Sequence, residues 1–460
     1  MIDVAIIGGG VSGLAAAYAL QRQGRRVLVL ERQARTGGNA VSERIDGFLM
    51  EHGPSTVAAE STAACELSQA LGLDAGKCDL GAGVRRRYLV GEGRLRGIPA
   101  HPMGFLATNY LSLGARLRML AEPLVPRGAD DTRESIAEFC TRRFGREFTE
   151  RVIDPLVAGI YAGRADELSV GAAFPKLVGL ERRYGSITIG MFRRRLEGAR
   201  MPSSRLFSWQ GGIGTLPNAL TRALGESVRT GVAVRRIEAS ASGFMIDAGE
   251  AGSFAARSVI VATQPHVAAR LLEGVDEAAA DAAGGIAAPP LAVAFLGYRR
   301  EQVAHPLDGL GFLVPQGEAR SLTGAQFCST MFPGRAPQGC VAVAGYFGGA
   351  RAPHLARLPA AELIELARQE FADLIGAKGE PVVARVRHWP LGLPQYRHGH
   401  GDRTAVLEGL SGNLPGLFVT GNYLAGPSVA ACLGQAQAVA VAALDRLAQS
   451  APAVRISLLR

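Results

Sequence analysis

The chain has 460 residues, 48% hydrophobic and 20% charged, which is enough for two or three domains with cores of their own and excludes a disordered chain. Its formal charge of +9 rests on arginine, since Lys77, Lys176 and Lys378 are the only lysines among 50 basic residues; this reads as compositional bias over the surface, with a membrane surface or an acidic small molecule left open and nucleic acid not expected as a partner. The six cysteines, at 65, 78, 140, 328, 340 and 432, form no CxxC pair and no Cys/His metal spacing, so free thiols in a reducing, cytoplasmic setting are expected and a metal site is not.

Met1 leads at once into the apolar run Val4 to Ile7, leaving no room for a charged region and a cleavage site, so no signal or transit peptide is expected. That run predicts a central parallel strand, Leu14 to Leu20 a helix ended by Gly24, and Val27 to Leu30 a second strand. Together they make a βαβ unit of about 30 residues. In its turn, Gly8 permits the sharp bend, Gly10 lets a pyrophosphate approach the backbone, and Gly13 allows close helix packing. Val11 and Ser12 open the helix, whose free N–H groups and positive dipole end suit phosphates. Glu31, closing the second strand, can accept both hydroxyls of an adenosine ribose. Isolated glycines would mark only a tight turn. Strand, helix and acid in this order favour a dinucleotide, without deciding between NAD and FAD.

Further along, residues 98–205 have helical apolar spacing, around Ile136 to Phe139 and Phe148 to Ile153. Gly231 to Ile237 and Ser258 to Thr263 predict strands of the first unit, and 286–404 alternates short strands around Leu291 to Phe295 and Val341 to Ala344. The uncharged stretch from Leu414 to Leu444 is broken by Gly421, Asn422, Gly426, Pro427, Gln435 and Gln437. It predicts a strand, a glycine turn and a buried helix rather than a membrane span. The fold class is α/β. One discontinuous nucleotide domain is expected from 1–97, 206–285 and 405–460, with a helical domain at 98–205 and a mixed-sheet domain at 286–404 inserted into it.

Three features resemble flavin enzymes related to the amine oxidases. After Glu31 and Arg32, the segment Arg35-Thr36-Gly37-Gly38-Asn39 is similar to their Arg-x-Gly-Gly extension, which runs beside the pyrophosphate. Gly421-Asn422-Tyr423, before a helix starting near Ser428 and Val429, resembles the turn that places a helix N-terminus at the pyrimidine end of the flavin and favours the anionic reduced form. Val234 takes the position whose backbone contacts the adenine. The resemblance implies a Rossmann-like domain holding non-covalent FAD.

Over nearly its whole length the chain also resembles the protoporphyrinogen and coproporphyrinogen III oxidase family. The blocks that carry this are Glu51-His52-Gly53-Pro54-Ser55-Thr56, Asp154 to Gly163 with Leu168-Ser169, Gly211-Gly212 to Leu216-Pro217, and Gly311 to Pro315. They continue with Phe332 to Pro337, Tyr346-Phe347-Gly348-Gly349, and Trp389 with Gln395-Tyr396 and Gly399-His400. The resemblance implies repeated hydride removal from a porphyrinogen to flavin N5 in haem biosynthesis, with dioxygen or another acceptor re-oxidising the flavin and no catalytic side chain. It implies that Arg87 pairs with a substrate propionate, although Arg85 and Arg86 leave the register open and a solvated basic turn is the alternative. It implies that Gly163 lets its backbone approach a pyrrole, where a simple turn is the alternative, and that Phe312 and Tyr346 line the macrocycle slot, where core packing is the alternative.

Two positions depart from the family pattern: Arg164 stands where an Asp is usual, and Gly426-Pro427-Ser428 where Gly-Val is common. The segment Pro102 to Leu106, with Leu111, Leu113, Arg116, Leu117 and Arg118, resembles a helical domain that rests peripherally on the cytoplasmic membrane, with helices buried in the domain as the alternative. A homodimer is admitted by the resemblance, and protoporphyrinogen IX and coproporphyrinogen III are not separated by it. The other readings are a flavin amine oxidase or carotenoid-type desaturase on the same scaffold, for which a lysine near flavin N5 would speak, and a tetrapyrrole carrier that keeps FAD as a structural element.

Overall fold

The computed structural model describes residues 2–98, 102–128, 134–198 and 205–449. The first seven-stranded sheet is built around Ile2–Ile7, which pairs in parallel with Val27–Glu31 on one side and Ser253–Val261 on the other. Leu417–Val419 runs parallel to the end of Ser253–Val261, and Val228–Thr230 lies parallel to Val27–Glu31. Alternation along the first strand serves two cores. Val4 and Ile6 pack under the helices Val11–Arg22 and Val429–Gln449, while Ala5 and Ile7 pack on the opposite face with Pro265–Leu272 and Glu277–Gly284.

One expected strand is broken. Between Val228–Thr230 and Arg236–Ser240, residues 232–235 are irregular, because Gly231 takes φ +72° and turns the chain after its N–H has bonded to the Gln33 carbonyl. Val232 still donates to the Glu31 carbonyl at 2.9 Å. Val234 therefore sits half-buried on a connection, not in a strand.

The second seven-stranded sheet runs, by strand, Val383–Trp389, Leu291–Arg299, Cys340–Gly348, Gly324–Gln326, Gly309–Leu313, Arg86–Gly91 and Arg94–Ile98. Its last two strands come from the first hundred residues and hydrogen-bond here rather than in the first sheet. The residue registers assign its faces. Tyr88, Phe312, Ala325 and Phe347 share the face covered by helix Ala360–Ile375, and Arg87, Leu89, Leu313, Gln326 and Tyr346 share the other.

The helical segment is stapled by a buried ion pair between Glu122 and Arg143, both fully buried. Ser135 and Glu138 form a capping box at the start of helix Ile136–Phe144. The helix expected over 148–153 contains a π turn at Thr149–Ile153, followed by helix Asp154–Tyr161. Pro155 has no N–H to give the Arg151 carbonyl, which instead accepts from the Tyr110 hydroxyl at 3.2 Å.

Candidate active site

At the first turn the three glycines do separate things. Gly8 adopts φ +110°, where a Cβ would also lie 2.6 Å from the Ala262 carbonyl oxygen. A Cβ on Gly13 would lie 2.0 Å from the Gly8 carbonyl oxygen, whereas one on Gly10 would meet nothing within 4 Å. Gly10 is the N-cap of helix Val11–Arg22 and offers no capping side chain, so no side chain competes for the first-turn N–H groups. Ser12 is buried in that turn, and Val11 packs against the core below it. The buried Glu31 carboxylate accepts from Gly9 N–H and Gln33 N–H, both at 2.8 Å, which holds it at the lip of the turn. Gly37 N–H donates to the Gly9 carbonyl at 2.8 Å, laying the Arg35 to Asn39 segment along the glycine turn, while Arg32 points into solvent.

The charges here fit a dinucleotide. Arg35 donates to the carbonyls of Thr36 and Gly38, and its pKa is depressed by burial and then by the neighbouring Arg387. Arg387 lies over the Trp389 ring at 4.3 Å, and its buried Nε has no partner. Two guanidinium groups held in mutual repulsion, one of them on the segment laid along the glycine turn, suit a pyrophosphate. Arg387 was not singled out in the sequence, because 352 residues separate it from Arg35 and only the tertiary fold brings its strand there.

The segment Glu51 to Ser55 joins this turn to the second sheet. The absent Cβ of Gly53 makes room for the Asn39 carbonyl, Trp389 Nε1 donates to the His52 carbonyl at 2.7 Å, and Ser55 Oγ meets Gln326 Oε1 at 3.1 Å. Gln326 lies on the face shared by Arg87, Leu313 and Tyr346. Tyr346 stands near Cys328 and Glu51, and burial pushes its phenol pKa up. Arg87 is half-buried and has no ion pair among the described residues, whereas its neighbour Arg86 is paired with Asp308 at 3.6 Å. Strand alternation thus puts Arg87, and not Arg86, on the Tyr346 side.

Phe312 does not belong to this group. It is 2% exposed and packs against Phe327 on the opposite face, with ring centroids 6.1 Å apart. Its neighbour Leu313 occupies the Tyr346 face and fits against Gly159, whose Cβ would come within 2.6 Å of Leu313 Cδ2. Gly163 is also close-packed, but against protein: its Cβ would meet Gln395 Oε1 at 2.6 Å and Leu168 Cδ1 at 2.8 Å. The turn it ends, with Ala162 at φ +50°, docks on the end of strand Cys340–Gly348, where Ala350 N–H donates to the Ala162 carbonyl at 2.8 Å. Arg351 binds the same region, donating to the Asp154 carboxylate at 2.6 Å and the Val314 carbonyl at 2.7 Å. Arg164 is satisfied locally by Asp166 at 2.6 Å and Glu167 at 3.2 Å.

Near the C-terminus, Gly421, Asn422 and Tyr423 form the turn that follows Leu417–Val419. Ser428 Oγ accepts from Ala431 N–H at 3.1 Å and so caps helix Val429–Gln449, while Val429 is buried in the core. None of the three lysines approaches the Tyr346 face of the second sheet: Lys77 lies over the Phe207 ring in a separate three-stranded sheet, Lys176 is on helix Pro175–Tyr184, and Lys378 follows helix Ala360–Ile375.

The family model described as flavin containing amine oxidoreductase matches residues 11–444. The mitochondrial protoporphyrinogen oxidase of Nicotiana tabacum is 32% identical, over 94% of this chain and 92% of that protein. The coproporphyrinogen III oxidase of Bacillus subtilis (strain 168) is 28% identical, over 96% of this chain and 98% of that one. Among solved structures, a protein of Exiguobacterium sp. 255-15 with a provisional protoporphyrinogen oxidase designation superposes with a TM-score of 0.83 at 24% identity, over 96% and 99% of the two chains. Cyclohexylamine oxidase from Brevibacterium oxydans IH-35A follows the same fold with a TM-score of 0.75 at 18% identity, over 97% and 99%.

Proposed function

The chain belongs to the flavin-containing amine oxidoreductase family, and from that membership we propose that it is an FAD-dependent oxidase of a porphyrinogen, protoporphyrinogen IX or coproporphyrinogen III, serving haem biosynthesis. The observation that carries the substrate class is the end-to-end similarity to the tobacco protoporphyrinogen oxidase, over 94% of this chain. Bound FAD supplies the two-electron acceptor, re-oxidised in turn by dioxygen or another acceptor.

The chain's own residues then have the following parts. The Gly8 to Gly13 turn, Arg35, Gly37, Gly38, Asn39 and Arg387 hold the dinucleotide phosphates, and Glu31 holds the ribose. Arg87, with no carboxylate of its own, is the group for a propionate, since a guanidinium fork accepts a carboxylate through two charge-assisted bonds. Leu313 and Tyr346 give an apolar wall on the same face, which excludes water from a flat macrocycle. No side-chain base is assigned. The amine reading lacks its lysine on this face.

The helical segment supports a peripheral membrane contact. Leu113, Leu117 and Leu120 form one exposed stripe at helical spacing, and Ile189, Phe192 and Leu196 a second, with Leu124 exposed to 85%. The two are neighbours, because Glu122 accepts from Ile187 N–H at 3.0 Å, and the exposed Arg193, Arg194 and Arg195 flank the second stripe. Leucine stripes edged by arginine suit a headgroup layer of anionic lipid. By contrast Phe105 and Leu111 are buried, so the contact falls on the helices and not on the segment before them. No helix of the described residues is long and apolar enough to cross a membrane.

The test is anaerobic mixing of FAD-loaded protein with each porphyrinogen, following flavin bleaching and porphyrin fluorescence. Bleaching with one substrate and fluorescence from its product are expected. A flavin left oxidised by both, yet bleached by an amine, would overturn the reading. For the membrane contact, co-sedimentation with anionic vesicles is expected to be lost in the variant L117S/F192S.

A further inference from the structure

We propose that Tyr396 and His400 are positioning residues that hold the flavin-side turn Gly421–Gly426 and thereby raise the reduction potential of bound FAD. The Gln395-Tyr396 and Gly399-His400 block has no role in the reading above, yet its side chains converge on that turn. The Tyr396 hydroxyl donates to the Asn422 carbonyl at 2.6 Å, so a buried side chain fixes one peptide of the turn. The His400 imidazole stacks on the Tyr396 ring, with centroids 4.1 Å apart and planes 17° apart. Both rings are buried, and the imidazole Nε2 has no hydrogen-bond partner.

The pair is itself anchored on the substrate-domain side. Tyr161 packs on Tyr396 at 5.4 Å, Ser169 N–H donates to the Tyr396 carbonyl at 2.8 Å, and Gln395 Nε2 donates to the Tyr161 carbonyl at 2.8 Å. A continuous set of contacts therefore runs from the Tyr161-Ala162-Gly163 turn, through Tyr396 and His400, to the segment that leads into helix Val429–Gln449.

The consequence follows from the peptide plane. In a trans peptide the C=O and N–H point in opposite directions, so fixing the Asn422 carbonyl on Tyr396 aims the Tyr423 N–H away from it. Oriented backbone N–H groups and a helix N-terminus stabilise negative charge close by and little else, and their effect falls off within a turn. Reduced flavin carries that charge and oxidised flavin does not, so an ordered turn favours the reduced form. Without the hydroxyl, the Asn422 carbonyl loses this bond and the favoured orientation is averaged away.

The inference rests on the flavin reading of this turn and is independent of which substrate is oxidised. It is tested on FAD-loaded protein without any porphyrinogen, by equilibrating the flavin against a reference dye during slow reduction. Tyr396→Phe keeps the ring and its stack; the expected result is about a tenfold loss in the preference for reduced over oxidised flavin, which is about 30 mV in a two-electron couple. His400→Phe also keeps the stack and is expected to lower the potential by less, and it carries the test should Tyr396→Phe not fold. A potential unchanged or raised in the folded variants would overturn the inference. A wild-type chain that binds no FAD would overturn the flavin reading and the inference with it, and the two failures are told apart by the flavin absorbance of the wild type.

Discussion

Arg335 meets the carboxylate of Glu51 at 2.6 Å with both side chains buried, although 284 residues separate them. The same carboxylate accepts from Ser42 Oγ at 2.5 Å and Ile213 N–H at 3.0 Å, and Arg335 also donates to Ser208 Oγ at 2.9 Å. The pair thus ties the Glu51 to Ser55 segment, which links the two halves of the site, to the strand Leu206–Trp209 and the turn after it. Removing one partner leaves a buried charge unmatched, which costs about 3–5 kcal/mol, whereas replacing both with apolar groups is far milder. Arg335→Met is therefore expected to lose most of that amount in denaturant unfolding, and the double variant E51L/R335M to recover part of it. A single variant as stable as the wild type would remove the pair from this role.

The unmatched Arg387 Nε beside Arg35 gives a second prediction. A hydrogen bond to a charged group contributes about 1.5–3 kcal/mol, and each 1.4 kcal/mol is tenfold in affinity. Arg387→Gln is expected to raise the dissociation constant for FAD by about tenfold or more in a fluorescence titration of apoprotein. In the absence of FAD the same substitution is expected to stabilise the chain slightly, because it relieves the repulsion with Arg35. Unchanged FAD affinity would place Arg387 outside the phosphate site.

These two cases show where the sequence is informative. The glycines of the first turn report on local backbone geometry, so their spacing, the strand before and the helix after could be read directly, as could the existence of the strands ending at Ile7, Glu31, Val261 and Val419, though not their order in the sheet. Val232 to Arg235 misled because its branched residues have strand propensity, while the φ +72° of Gly231 redirects the chain first. Phe312 misled for a different reason. The stretch Gly309-Leu-Gly-Phe-Leu has apolar residues at adjacent positions, so period-two alternation is silent about which face each takes, and only the pairing of Phe312 with Tyr88 and Leu313 with Leu89 decides it. Arg351 with Asp154, Arg335 with Glu51 and Arg387 beside Arg35 are long-range pairs with no local signature. A surplus of 47 arginines hides the few that matter.

The face assignment separates Arg87 from Phe312 by experiment. Arg87→Met is expected to raise KM for a propionate-bearing porphyrinogen by about 10- to 100-fold with little change in kcat, since a lost charge-assisted pair costs about 1.5–3 kcal/mol of binding. Esterifying the propionates should abolish the difference between wild type and variant. Phe312→Leu is expected to leave KM unchanged and lower the melting temperature, because it trims a core contact with Phe327. The opposite pattern, with KM moved by Phe312 and not by Arg87, would reverse the assignment of faces.

The last prediction concerns pH and uses His400 alone. Burial holds its pKa down at about 4, against an ordinary value of 6.5, with a smaller push from Arg403 in the same direction. The unfolded chain therefore binds a proton below about pH 6.5 that the folded chain refuses until about pH 4. Stability from this group is full above pH 6.5, declines as pH falls through that window, and is minimal below pH 4. The full span corresponds to about 3 kcal/mol. Melting curves at pH 7 and pH 5 should then show a smaller loss on acidification for His400→Phe than for the wild type, because the variant has no proton to take up at this position. Since the imidazole braces Tyr396, the wild-type flavin turn should also loosen in the same window. Acidification from pH 7 to pH 5 would then lower FAD retention in the wild type more than in His400→Phe, and equal losses in the two proteins would mean that the pH dependence arises at another residue.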